Sequence, residues 1–154
     1  MVDPVLAAEA AWLNADSAVT AALGTGQPIL PYARRTTSGV RSVWLLRRQV
    51  VERRLGYPLK RQEHLLQVHV DWPADQQDPA AVQGALDTLV DAVVVRVRGG
   101  LQDKTHGGAF YSVGEENATP TITVTFGDPV GALTAGRPLT ADVTYWAITA
   151  PFIA

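Results

Sequence analysis

The chain contains no cysteine. Disulfides, thiolate metal ligands and cysteine nucleophiles are thereby excluded. No apolar run approaches the roughly 18 residues that a membrane span requires. The N-terminal stretch "MVDPVLAAEAAWLNADSAV" lacks the charged start and unbroken apolar middle of a secretory signal. Together these predict a soluble protein, made in the cytoplasm, with no membrane contact. Motifs for chemistry are missing as well. There is no G-x-x-x-x-G-K-[ST] and no G-x-G-x-x-G after a strand, and the "GTG" at Gly24 to Gly26 follows a helix, the wrong context for a phosphate cradle. No G-x-S-x-G nucleophile elbow occurs.

What the sequence does have is a moderate apolar fraction and an uneven charge. With 154 residues, 47% hydrophobic and 18% charged, residues 1–154 form one domain able to bury on the order of 70% of the surface its unfolded chain exposes. Four tryptophans are many for this size. Residues 1–33 carry three acids and no base, whereas residues 34–61 hold nine of the thirteen basic residues against one acid, a net of +8. Residues 62–154 carry four bases and eleven acids, a net of −7, so a formal charge of only −2 conceals strong segregation.

Helix signals are local and clear. Asp3 caps and Pro4 opens a first helix, with Leu6, Ala10 and Leu13 at helical spacing. Asp16 caps a second, Ser17 to Leu23, which Gly24 ends. The segment "GTGQPILPYARRTTSG" reads as a loop with Ile29, Leu30 and Tyr32 against the core. Asp78, Pro79, Gly99 and Gly100 bound a long helix whose apolar stripe is Val82, Leu86, Leu89, Val93 and Val97.

Residues 42–56 fit two templates. Val43, Leu46, Val50 and Leu55 follow a rough helical stripe, while β-branched and aromatic residues at the start favour a strand. The next segment favours the strand: in "HLLQVHVDW", Leu66, Val68, Val70 and Trp72 alternate with Gln67, His69 and Asp71. Two extended runs separated by "GYP" predict a long antiparallel hairpin, about residues 42–72, with basic residues along its arms. A short strand at Phe110 to Val113, a strand in "TITVTF", a turn through "GDPVGALTAGRP" and a last strand in "LTADVTYWAITA" complete an α+β fold. In it a mainly antiparallel sheet carries its helices on one face.

Three histidines are candidates for chemistry. His64 and His69, five apart on a strand, fall on opposite faces and cannot share a metal. Both read as structural or surface residues. His106, in "DKTHGGAF", sits in a polar loop of the kind that carries catalytic groups, but a turn whose glycines supply positive φ explains the same pattern. Asp71, Asp75 and Asp78 surround a strand end and a helix cap and read as solvated turn acids. No catalytic residue, metal ligand or cofactor is expected.

The remaining feature is "RRQVVERRLGYPLKR", Arg47 to Arg61. It suits a solvated hairpin arm or a sequence-nonspecific contact with nucleic acid by a monomer using residues 34–61. Only Trp44 and Tyr57 are nearby to stack on bases. It also suits a head-to-tail contact in which one subunit's basic arm meets its neighbour's acidic face, an arrangement that closes into a ring when the rotation permits.

The helical "AAWLNADSAVTAALG", the loop "PILPYARR", the strands ending "HLLQVHVDWPA", the helix "DPAAVQGALDTLVDAV", then "THGGAF" and two C-terminal strands together resemble the tail terminator, or tail completion, proteins of long-tailed bacteriophages and their neighbouring head–tail joining proteins. The resemblance rests on element order over nearly the whole chain. It implies an α+β subunit of a ring, typically a hexamer, that ends the tail tube and meets the head-side connector in a virion assembled in the bacterial cytoplasm. It also implies a structural protein with no enzymatic activity. DNA passes through such a ring, so Arg47, Arg48, Arg53, Arg54, Lys60 and Arg61 would lie at a subunit interface or facing the lumen.

Overall fold

Two long strands, β1 (Ser42–Gly56) and β2 (Leu59–Trp72), pair antiparallel into the expected hairpin around a Tyr57–Pro58 turn. The computed structural model describes residues 3–24, 28–34, 41–73, 78–99, 105–113 and 122–153. Parts of the sequence-based reading that fall on Thr25, Gly26, Arg35, Asp75, Gly100, Asp103 and Lys104 lie outside the described residues.

Helices α1 (Pro4–Asn14), α2 (Ser17–Leu23) and α3 (Pro79–Arg98) begin where their aspartates predict. Asp3 accepts from the Val5 amide at 2.8 Å, Asp16 from Val19 at 3.1 Å and Asp78 from Ala80 at 3.3 Å. Each satisfies an amide that the first helical turn leaves without a partner. Gly24 and Gly99 end α2 and α3 at φ 79° and 70°, where a side chain would be strained. The α3 stripe of Val82, Leu86, Leu89, Val93 and Val97 is buried, with Val90 added.

The sheet completes with β3 (Ser112–Val113), β4 (Ile122–Phe126), β5 (Leu139–Ile148) and β6 (Phe152–Ile153). The strand order is β1-β2-β5-β3, with β4 also paired to β5 and β6 to β2, and every named pairing is antiparallel. Antiparallel neighbours share a face when directly opposite. Val43, Leu45, Leu66, Val68, Val70, Val143 and Tyr145 therefore form one buried layer, which meets Leu13, Val19, Leu86, Leu89 and Val93 from the helices. This is the α+β architecture expected, with helices on one side of the sheet. Each fully buried Val or Leu contributes about 1.5–3 kcal/mol relative to an exposed one.

Two local readings are corrected. The "GDPVGALTAGRP" segment is not simply a turn but holds helix α4 (Pro129–Ala135), capped by Asp128 and ended by Gly136 at φ 66°. It carries the same Asp-Pro start and glycine stop as α3, but none of its residues is buried, so no apolar stripe announces it. Tyr32 does not tuck into the core but is 45% exposed, whereas Ile29 is buried. Asn14 fixes that loop, its side-chain amide bonded to both the N–H and the carbonyl of Ile29 at 2.9 Å.

Candidate functional site

β1 is an edge strand. Leu30 bridges it at Trp44, but among the described residues its distal half pairs only with β2. From Arg47 to the turn β1 is exposed apart from half-buried Val51. At the rise of a strand, this arm reaches on the order of 30 Å beyond the last buried residue of β1.

The register shifts between Arg47 and Gln49, so Arg48 is an extra residue in β1. A bulge of this kind exchanges the two faces of the strand beyond it. Before it Val43, Leu45 and Arg47 point to the helix side; after it Val50, Glu52 and Arg54 do, opposite His64, Gln62 and Lys60. Arg53 is thereby turned to the open face, opposite Arg61 and beside Glu63.

The six basic residues expected at an interface or lumen divide into two groups. Arg47 pairs with Asp3 at 2.9 Å, Lys60 with Glu52 at 3.7 Å and Arg61 with Glu63 at 3.5 Å, while Arg53 also bonds Glu63. Glu63 is only 1% exposed, and two guanidiniums compensate its buried carboxylate. Arg48 and Arg54 make no ion pair among the described residues. Arg54 stands directly opposite Lys60, a like-charge pair that weakens a hairpin unless something else offsets it. Apolar side chains share the arm: Val50, Leu55, Tyr57 and Leu59 are 42%, 44%, 102% and 38% exposed.

The histidines occupy three different environments. His64 lies on the helix side, 2% exposed, and neither ring nitrogen has a hydrogen-bond partner among the described residues. Burial, and then the Arg47 guanidinium, hold its pKa below the ordinary 6.5, against a smaller opposing effect of Asp3. His69 lies on the opposite face, as the strand period predicts. Its Nε2 is 3.0 Å from Asp71 and its Nδ1 2.6 Å from Asp142, and its ring stacks on Trp44. The hydrogen bond to Asp71, then that to Asp142, outweighs partial burial and raises its pKa to about 9. His69 is therefore an imidazolium held between two carboxylates at neutral pH.

His106 is not an exposed loop residue. It is 2% exposed, at φ 49°, and stacks on Trp12 with ring centroids 3.7 Å apart. Nε2 faces the Val97 carbonyl at 2.8 Å, which only accepts, so Nε2 carries a hydrogen. Nδ1 is hydrogen-bonded to Glu9 Oε1 at 2.6 Å, and the Tyr145 hydroxyl donates to the same oxygen at 2.8 Å. Burial, and then the Glu9 carboxylate, push the Tyr145 pKa well above its ordinary value. Arg96 covers the other side of the group, its guanidinium 3.7 Å from the Trp12 ring and bonded to the Trp12 carbonyl. With both ring nitrogens engaged and no access to solvent, His106 ties α1, α3, β5 and its own loop together. The turn reading holds in part, since Gly107 and Gly108 take φ 76° and 91°.

Glu9 and Tyr145 had no signal in the sequence that linked them to His106. Asp78 is a helix cap, and Asp71 is bound to His69 rather than solvated. Among the described residues no group of three His, Asp or Glu could hold a metal ion. The candidate site is thus a surface, the distal hairpin with Arg48 and Arg54, which have no ion pair among the described residues, and its exposed apolar side chains. No known family model matches the chain, and no curated protein matches it.

Proposed function

We propose that this protein is a structural subunit of a phage or phage-like tail. Copies of it join into a ring that ends the tail tube and connects it to the head. The reading gives it no catalytic role and no cofactor. Its partners are further copies of itself, hexameric in the resembled family, together with the tube protein on one side and the head-side connector on the other. In the assembled virion its lumen passes DNA.

One observation carries the reading: the distal hairpin exposes Val50, Leu55, Tyr57 and Leu59 beside Arg48 and Arg54, which make no ion pair among the described residues. None of these contributes to the protein's own core, and aromatic and arginine side chains are those that anchor protein contacts. The acidic balance of residues 62–154 offers a complementary partner on another copy. Nucleic-acid binding by the same arm draws less support. Asp3, Glu52 and Glu63 already engage Arg47, Arg53, Lys60 and Arg61, so four of the arm's six cations are partly compensated before any phosphate backbone is met.

Sedimentation velocity at low and high salt tests the proposal. Oligomers that weaken as salt rises are expected, because surface charges are screened within about 8–10 Å at ordinary ionic strength. A single monomeric boundary at every concentration and salt would count against it.

A further inference from the structure

At the far end of the sheet lies a cavity of about 180 Å³ between α3, β4 and the start of β5. Leu86, Phe126, Pro129 and Leu139 give it an apolar lining, and Asp87 stands among its lining residues. Phe126 in its lining is 51% exposed. Pockets for whole small molecules run to about 300 Å³ or more, whereas an apolar cavity of about 150 Å³ accepts a benzene ring. This cavity therefore fits one aromatic side chain. Asp87 is exposed and makes no ion pair among the described residues.

The hairpin turn presents the complement. Tyr57 is fully in water at its tip, three residues from the unpaired Arg54. A chain cannot fill its own cavity. Leu139 pairs with Trp72, at the opposite end of β2 from the turn, which places tip and cavity roughly 45 Å apart at the rise of a strand. The cavity also lies toward β4, beyond β5 from the β1 edge.

We infer that Tyr57 of one copy inserts into the cavity between α3, β4 and β5 of a second copy, with Arg54 meeting Asp87 at its rim. Tip and cavity are different surfaces, so the contact is heterologous and repeats from subunit to subunit. A buried tyrosine flanked by a charge pair is the usual composition of an interface anchor. The inference rests on the ring-subunit reading and names the surfaces through which the copies meet.

The test is the association of the full-length chain at low salt, measured by native mass spectrometry and sedimentation equilibrium. The variants are Tyr57→Ser, Arg54→Glu, Asp87→Arg and the exchange Arg54→Glu with Asp87→Arg, each checked for an unchanged far-ultraviolet circular dichroism spectrum. Tyr57→Ser should weaken association at least about 30-fold, and so should each single charge reversal. The exchange should recover most of the loss. A mixture of Tyr57→Ser and Asp87→Arg chains should give a one-to-one pair and nothing larger, since only one intact tip and one intact cavity remain. If the natural chain associates and Tyr57→Ser and Arg54→Glu associate as well as it does, the inference is overturned while the ring-subunit reading stands. A natural chain that never associates removes both.

Discussion

Glu9, His106 and Tyr145 show what a buried ionisable group costs when its partner is taken away. His106→Ala leaves Glu9 buried without its imidazole hydrogen-bond partner, a change expected to cost about 3–5 kcal/mol in chemical denaturation. Replacing Glu9 and His106 together by apolar residues should cost less than the sum of the single changes. His64 has the opposite character. Its nitrogens are buried and unpartnered, so His64→Leu is expected to be neutral or stabilising. The folded pKa lies below 6.5, so the unfolded chain takes up this proton first. Stability attributable to His64 is whole above pH 6.5 and declines as pH falls below it. Denaturation midpoints at pH 7 and pH 5 should therefore fall further apart in the natural protein than in His64→Leu. For His69 the sign reverses. Its folded pKa of about 9 exceeds 6.5, so its contribution is full below pH 6.5 and fades as pH rises through 9. His69→Asn should cost on the order of 1–2 kcal/mol at pH 6, after allowance for solvent screening, and much less at pH 10.

The elements differ in how much of them is local chemistry. α1, α2 and α3 were legible because an aspartate cap, a proline start and a glycine stop all act within one turn of the chain. β2 was legible in the alternation from Leu66 to Trp72, and it decided the ambiguous run before it. The bulge at Arg48 left no mark in the sequence, because inserting one residue into a mixed apolar and basic run alters no visible period. Yet it alone sets Arg53 beside Glu63. The bonds from His106 and Tyr145 to Glu9 span 97 and 136 residues, and no short-range pattern encodes them. The hairpin itself yields a prediction. With residues 53–61 replaced by Asn-Gly, a two-residue turn that suits a hairpin, and Glu63→Gln to remove the stranded charge, little core burial is lost. Stability should change by no more than about 1–2 kcal/mol, while association should disappear.

For the whole molecule, the sequence segregates +8 in residues 34–61 from −7 in residues 62–154. The folded chain places the basic hairpin at one end of the sheet and Asp87, beside its apolar cavity, at the other. Four of the six basic side chains of the arm pair within the chain, with Asp3, Glu52 and Glu63. The proposed contact would therefore fall to Arg48, Arg54 and the apolar tip rather than to a diffuse cationic surface. On the proposed reading such a subunit would associate head to tail, and a rotation between neighbours that divides the circle evenly would close the contacts into a ring. The measurement that bears most directly on this is electron microscopy of the purified protein at low salt, beside the chain lacking residues 53–61. Closed rings of uniform size with the natural chain, and none with the shortened one, are expected. Rings that persist without the hairpin tip, or isolated single molecules in both samples, would contradict the assignment of assembly to this arm.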